Sequence, residues 1–436
     1  STAKTILEPP KPPDPCDHFP DLAKAIVRLQ GACQIAESVA ICGDYDADGM
    51  TSTALLMVTL KCLGAQPIAA IPNRKSEGYG LNRDMVTRLH EQGIRLIVTV
   101  DNGVTAQEAL QQAENLSMEV ILTDHHTLPD SPLNVLCLLH PSVTPQDSPY
   151  RCLAGVGLAY LLASSLAEAM DCKEAIGPAR DLFCIGTVAD MAPLTGANRA
   201  FLREGLNNLH RTRCKGLRAL QRLAGIEERP LKAEDIGFQL APRINAVGRL
   251  GDPQLVVKLL TVDNEDEAMT LARQCDQLNR QRKDLCNAIE AEAIALVEAE
   301  GATPPPFLML AQNHWHHGVI GIVAARLMER YFRPTALLAG EGDGRLRASV
   351  RAPSGFAVND SLKACAVHLD RFGGHSAAGG FTIRAEKVGA LHEALNKLAS
   401  NWHATVGGGV SISPETLLKL HEINLDLWNG LQKLEP

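Results

Sequence analysis

Ser38-Val39-Ala40-Ile41-Cys42-Gly43-Asp44-Tyr45-Asp46-Ala47-Asp48-Gly49-Met50-Thr51 is the stretch whose reading decides the fold. An apolar run stops at three aspartates in alternate positions, and a glycine then opens an apolar run of helical length. In extended backbone the side chains alternate, so Asp44, Asp46 and Asp48 would share one side. Three neighbouring carboxylates repel one another unless a cation neutralises them or water screens them. An acidic surface turn is the plain alternative, because Asp and Gly cluster in turns. The apolar runs on both sides favour a hard divalent cation site at the carboxyl end of a buried strand.

Outward from this stretch the pattern repeats. A helix at 21–37 precedes it, strand 38–43 leads to helix 49–63, and strand 67–72 leads to helix 82–92. Strand 96–100 leads to helix 105–116, strand 119–123 ends in Asp124-His125-His126, and strand 135–139 ends in His140-Pro141. Strands that are apolar throughout and alternate with helices predict a parallel sheet covered on both faces. Right-handed crossovers bring the strand C-termini to one edge, where ligands bind in open α/β sheets. That edge would receive Asp44, Asp46 and Asp48, then Asp101-Asn102-Gly103, then Asp124-His125-His126. A further apolar run, Leu182 to Ala189, stops at Asp190. One aspartate could be a helix N-cap, and that reading stays open for Asp124, as a structural role does for His126. Four such stops together are not explained by caps. Carboxylates with imidazole suit Mn²⁺ or Mg²⁺, the histidine favouring Mn²⁺. Enough carboxylates are present to bridge two ions, which points to hydrolysis of a phosphate ester.

At 436 residues two or three domains are expected. The apolar fraction of 45% and charged fraction of 21% are those of a globular protein. Aromatics at 4% leave little for base-stacking platforms. No apolar run approaches the roughly 20 residues of a membrane span, and the start of the chain lacks a signal-peptide core. Twelve cysteines are scattered without a Cys-x-x-Cys pair, and Cys42 and Cys184 fall within apolar runs read as strands. Reduced thiols in a cytoplasmic protein are expected, not a disulfide framework. A net charge of −8 gives no global attraction to nucleic acid, so the distribution of charge must decide.

Residues 1–20 are Pro-rich and read as a segment wrapping the surface. Residues 199–222 hold Arg199, Arg203, Arg211, Arg213, Lys215, Arg218 and Arg222 against one acid, Glu204. A solvated helix face is the ordinary explanation; the position after Asp190 suggests a wall that tracks phosphates. Residues 262–299 read as one long amphipathic helix connecting two α/β units. Gly301 to Pro306 then opens a second domain with strands at 307–311, 335–339, 345–351 and 379–384 and a helix at 319–330. Gly318-Val319-Ile320-Gly321 offers backbone N–H groups to an anion. Arg347 and Arg351 fall on one strand face, positioned for successive phosphates, and Gly373-Gly374-His375-Ser376 lets backbone approach a ligand.

The motifs Asp44-Tyr45-Asp46-Ala47-Asp48-Gly49, Asp101-Asn102-Gly103, Asp124-His125-His126 and Gly186-Thr187-Val188-Ala189-Asp190 resemble those of the DHH phosphoesterase superfamily. Pro242 to Leu250, Trp315 to Ala324 and Phe372 to Gly380 resemble its single-strand-specific 5′ to 3′ exonuclease branch. The resemblance runs from about residue 20 almost to the end of the chain. It implies a parallel sheet flanked by helices in a DHH domain at 1–225, a helical connector at 226–300 and a smaller α/β DHH-associated domain with a mixed sheet at 301–402. Residues 403–436 would be a tail leading to an oligonucleotide-binding barrel that the sequence does not include.

Residue by residue, the resemblance implies Asp46 and Asp101 on one ion, and Asp48, Asp101, His125 and Asp190 on the other. Asp44 would complete or orient the first site, and Asp124 and His126 would support the ligands or face phosphate. Arg243, Asn245, Arg249, Arg347, Arg351, Gly374 and His375 would bind substrate. Cys42 occupies a position where relatives acting on small phosphoesters carry histidine, which leaves occupancy of the first site open. The implied activity is Mn²⁺- or Mg²⁺-dependent exonuclease digestion of single-stranded DNA to mononucleotides, in repair and recombination, by a cytoplasmic monomer working with single-strand-binding protein and a helicase. A hydrolase of dinucleotides, cyclic dinucleotides or nucleotide bisphosphates is the alternative within enzymes. A non-catalytic scaffold is the alternative outside them, and none of the five metal-motif ligands it would lose is missing here.

Overall fold

The computed structural model describes residues 2–73, 77–301, 304–406 and 417–435. It divides into two compact units, residues 1–279 with 418–436, and residues 280–417. The boundary lies inside the helix Glu265–Glu300, and the segment from 418 onward belongs with the first unit. Part of the Gly301–Pro306 break and residues 407–416 of the expected tail lie outside the described residues.

The first unit is built on five parallel strands, β1 (Ser38–Cys42), β2 (Gln66–Ala70), β3 (Leu96–Val100), β4 (Glu119–Thr123) and β5 (Cys137–Leu139), in the order β2-β1-β3-β4-β5. The three central strands are buried almost throughout, because helices cover both faces and no side of the pleat meets water. Helix Ala47–Cys62 is buried on nearly every side, which its apolar sequence requires. It packs with helices Gly155–Ala169 and Ala179–Ala189. All twelve cysteines are free thiols, and no helix among the described residues is long and apolar enough to cross a membrane.

Three expectations change at this level. The aspartates of the opening stretch do not alternate along extended backbone: Asp46 is the N-cap of helix Ala47–Cys62 and Asp48 lies in its first turn. The run that stops at Asp190 is a helix, Ala179–Ala189, with Asp190 at its C-cap and Cys184 in its buried face. An apolar run of this length suits a buried strand or a buried helix equally, and packing settles which forms.

Most cations of the basic run 199–222 have partners within the first unit, and Arg211 and Arg213 are exposed. The run folds as two helices, Gly196–Leu209 and Lys215–Ala224, joined by a segment that carries Arg211 and Arg213. Arg199 donates to the carbonyls of Ile6 and Leu434, and Arg203 to that of Leu7. Lys215 pairs with Asp263, Arg218 with Glu265 and Arg222 with Glu227. Glu204, the one acid in the run, pairs with Arg180. The acids that neutralise the run lie outside it in sequence, so a local count of charge does not find them.

The second unit holds a mixed sheet of β6 (Leu308–Gln312), β7 (Thr335–Gly342), β8 (Arg345–Arg351), β9 (Arg371–Gly374) and β10 (Ala378–Arg384), ordered β6-β7-β8-β10-β9. Only β6 and β7 are parallel. Helices Val358–Ala364 and Val388–Val406, both additional to the expected elements, cover one face of the sheet through Leu362, Leu391, Leu395 and Trp402. Helix His317–Tyr331 packs on β7 and β8.

Candidate metal centre

The carboxyl ends of β1, β3 and β4 meet the N-termini of two helices and the C-terminus of a third. Asp44, Asp48, Asp101 and Asp124 are each only 1% exposed. Three overlapping groups have ligand atoms within 4.8 Å of one another: Asp44, Asp46 and Asp101; Asp48, His125 and Asp190; and Asp101, His125 and His126. His125 Nε2 lies 3.0 Å from Asp101 Oδ1 and 3.8 Å from Asp48 Oδ2, and His125 Nδ1 lies 3.9 Å from Asp190 Oδ2. Seven of the eight residues singled out at this sheet edge from the sequence fall in these groups, and Asp124 stands beside them, 2.7 Å from His126 Nδ1.

Local structure explains each placement. Asp46 accepts from Gly49 N at 3.0 Å, capping its helix, a bond whose loss typically costs about 1 kcal/mol. Asp48 accepts from Gly155 N and Val156 N at 2.7 Å each, so a second helix N-terminus aims its free N–H groups at this carboxylate. Asp101 has φ of +60°, which turns its side chain into the site at the end of β3. Asn102 holds that turn by donating to the carbonyls of Cys42 and Val100 and accepting from Leu81 N. Asp124 accepts from Val104 N, His125 N and His126 N, and lies 2.7 Å from His126 Nδ1. It orients the two histidines and leaves the ligand clusters to its neighbours. His140 fixes the same loop through the His126 carbonyl.

The charge balance of this pocket suits a cation. Burial, then Asp190, pushes Asp48 up to about 7, and burial with Asp46 does the same to Asp190. Burial and the four neighbouring aspartates hold Asp101 well above the carboxylate range. Burial would also raise Asp124, but the bonds from His126 and the backbone N–H groups hold it below its ordinary value. Burial opposes protonation of His126, and Asp124 overcomes it, so the imidazole is raised. Packed carboxylates that resist ionisation together, beside imidazole, form an oxygen-rich donor set that fits one or two hard divalent ions. Cys42 does not join them: burial pushes its thiol up to about 12, and it stays a neutral core residue.

Several participants were not visible in the sequence. Gly155 and Val156 act through backbone N–H groups, which any residue but proline carries. Tyr79 donates to the Asp101 carbonyl at 2.8 Å and packs edge-on against Tyr45 and His126. Of the residues expected to bind substrate, Asn245 accepts from Ala47 N at 2.8 Å, fastening the first turn of the Asp48 helix. Arg243 is committed to Asp276 at 2.9 Å and to the Gln239 carbonyl. Arg249 is half-buried on the same helix, Ala241–Leu250. That helix approaches the motif closely: a Cβ on Gly248 would stand 1.7 Å from the Tyr45 carbonyl oxygen. Arg347 and Arg351 do share one face of β8. Gly374 has φ of +152° and His375 is exposed, its N–H donating to the Ala378 carbonyl.

Comparison with known proteins agrees with this geometry. The model of the DHH family, N-terminal domain, matches residues 38–187, and that of the DHHA1 domain matches residues 305–401. The single-stranded-DNA-specific exonuclease RecJ of Bacillus subtilis is 38% identical over 405 residues, covering 93% of this chain and 50% of its own length. The RecJ of Escherichia coli is 34% identical over 411 residues, covering 89% of this chain and 70% of its own. The crystal structure of RecJ from Thermus thermophilus in complex with Mn²⁺ superposes with a TM-score of 0.85 at 31% identity, over 99% of this chain and 62% of that one. The chain thus spans about half the length of the Bacillus relative.

Proposed function

We propose, from the premise that this chain belongs to the RecJ family of DHH phosphoesterases, that it is a metal-dependent exonuclease degrading single-stranded DNA from the 5′ end to mononucleotides. The observation that carries the reading is the set of overlapping ligand groups that share Asp101 and His125 at the sheet edge. Asp44, Asp46 and Asp101 would hold one Mn²⁺ or Mg²⁺ ion, and Asp48, Asp101, His125 and Asp190 a second. Bound there, such an ion supplies Lewis-acid charge to the phosphodiester and lowers the pKa of water.

The chain's own groups do the rest. The N–H groups of Gly155 and Val156 fix both oxygens of Asp48. Tyr79 and Asn102 hold the Asp101 turn. His126, held 2.7 Å from Asp124 and raised by it against burial, would hydrogen-bond a phosphate oxygen of the substrate. Arg347, Arg351, Gly374 and His375 in the second unit would contact the substrate strand. Residues 1–225 are assigned to the chemistry, 226–300 to the connector and 301–402 to substrate binding. Single-strand-binding protein and a helicase are the partners such an enzyme needs to present its strand, in the cytoplasm.

Incubation with Mn²⁺ and end-labelled oligonucleotides tests the reading. Digestion requiring a 5′ end and yielding mononucleotides is expected; a ladder that starts from the 3′ end, or intact single strands, rejects it.

Loss of metal should also show in stability. An acid whose folded pKa is raised binds its proton more tightly folded than unfolded. Its contribution is therefore neutral at low pH and turns destabilising as pH rises from about 4, the unfolded value, through about 7 for Asp48 and Asp190. Protein in chelator should lose thermal stability across that window, and Mn²⁺ should raise the unfolding midpoint more at pH 8 than at pH 6. Thermal scans at both pH values check it; an equal Mn²⁺ effect would contradict the assignment.

A further inference from the structure

Arg199, Arg203, Arg218 and Arg222 of the basic run have partners in the first unit, whereas the second sheet carries a set of exposed arginines with few acids beside them. Along β8 the residues Arg345, Arg347, Ser349 and Arg351 point to one face, and Leu346, Ala348 and Val350 point to the core on the other. Cross-strand register puts Arg384 opposite Arg345, and Thr382 opposite both Arg347 and Arg371. Directly paired residues share a face, so Arg345, Arg347, Arg371 and Arg384 stand on one surface that spans β8, β10 and β9. All four are exposed.

Helix His317–Tyr331 lies on the Arg351 end of this face: a Cβ on its Gly321 would be 3.2 Å from an Arg351 guanidinium nitrogen and 3.4 Å from Ser349 Oγ. The β10 and β9 side of the face carries Ala378, Gly380, Thr382 and Gly373 between the arginines, a floor with almost no side-chain relief. Among the described residues, Arg347 meets Glu341 only at 3.9 Å, and no such ion pair reaches Arg345, Arg371 or Arg384. Arg345 and Arg384 face each other directly, an arrangement that costs stability unless an anion lies between them.

We infer that this open face of the second sheet is a track for the sugar–phosphate backbone of single-stranded nucleic acid, with Arg345, Arg371 and Arg384 as contacts additional to Arg347 and Arg351. Charges set about 4.8 Å apart across strands and about 6.8 Å along them suit a polyanion with regularly repeated charge. The glycine floor lets the backbone of the ligand lie close, and guanidinium planes can stack on unpaired bases. The track rests on the exonuclease reading and extends it: it would set how many nucleotides beyond the scissile bond contribute to affinity.

The test is the triple variant Arg345→Gln/Arg371→Gln/Arg384→Gln in the full chain. Its binding to fluorescent oligothymidylate about 20 nucleotides long is followed in chelator as a function of salt. Each lost phosphate contact removes roughly 0.7 from the slope of log K against log salt, so the slope should shrink by about 2. Affinity at low salt should fall on the order of tenfold or more. An unchanged thermal midpoint shows that the variant is folded, and single substitutions serve in its place if it is not. An unchanged slope overturns the track, as does displacement of the oligonucleotide by polyglutamate at equal charge concentration. Wild-type protein with no salt-dependent binding at all overturns the exonuclease reading instead.

Discussion

Asp101→Ala will give a folded protein with essentially no hydrolytic activity, a loss of at least about 10³-fold. Its carboxylate belongs to two of the three ligand groups and lies 3.0 Å from His125 Nε2, so its removal weakens both proposed ion sites at once. Metal charge at a phosphoryl centre is worth several kcal/mol, and each 1.4 or so is about tenfold in rate. Stability should move the other way. Asp101 is held well above the carboxylate range by burial and by Asp48, Asp46, Asp44 and Asp124, so the metal-free protein gives up repulsion when it is removed. Single-turnover rates in saturating Mn²⁺ and unfolding midpoints in chelator at pH 8 measure the two effects. A variant that keeps a rate within tenfold of wild type would show that Asp101 is not the shared ligand.

The parallel sheet was legible because its central strands are buried on both faces and leave unbroken apolar runs, and each run stops where the chain meets the functional edge. The residues that cluster at that edge were marked by the same stops. Their alternate spacing implied a geometry the fold does not use: Asp46 and Asp48 reach the cluster through a helix cap and a first helical turn, not through the pleat. Asp190 likewise comes from a helix end. What stayed hidden acts through groups without a sequence signature. Two backbone N–H groups hold Asp48, and the acids that occupy Lys215, Arg218 and Arg222 lie outside the run a local count inspects. Arg243 and Asn245 show the converse. The resemblance marked them as substrate contacts, and the structure adds a structural role to each, a bond to Asp276 and one to the first turn of the Asp48 helix. The motif is explained at least as well by the need to bring Gly248 against the Tyr45 carbonyl.

Gly155→Ala should lower activity on the order of 100-fold, although residue 155 carries no chemistry. An added Cβ would stand 2.6 Å from the Asp101 Cβ and 3.0 Å from Asp48 Oδ2. The nearer contact is with an atom fixed to the backbone of a left-handed residue, so no side-chain rotation relieves it. Helix Gly155–Ala169 must withdraw or Asp101 must shift, and either movement breaks the two 2.7 Å bonds that position Asp48. A misplacement of this kind at reacting groups costs on the order of 100-fold. We expect kcat to fall by that factor, with weaker Mn²⁺ binding by calorimetry and a lower thermal midpoint. Gly31→Ala is the control: nothing lies within 4 Å of its Cβ position, which is in the helix Leu22–Gln34. There the substitution should leave activity unchanged and stabilise by up to about 1 kcal/mol through helix propensity. Near-wild-type turnover by Gly155→Ala would mean that the Asp48–Asp101 geometry is slack, and that the ligand positions are set by the bound ion and not by the fold that surrounds it.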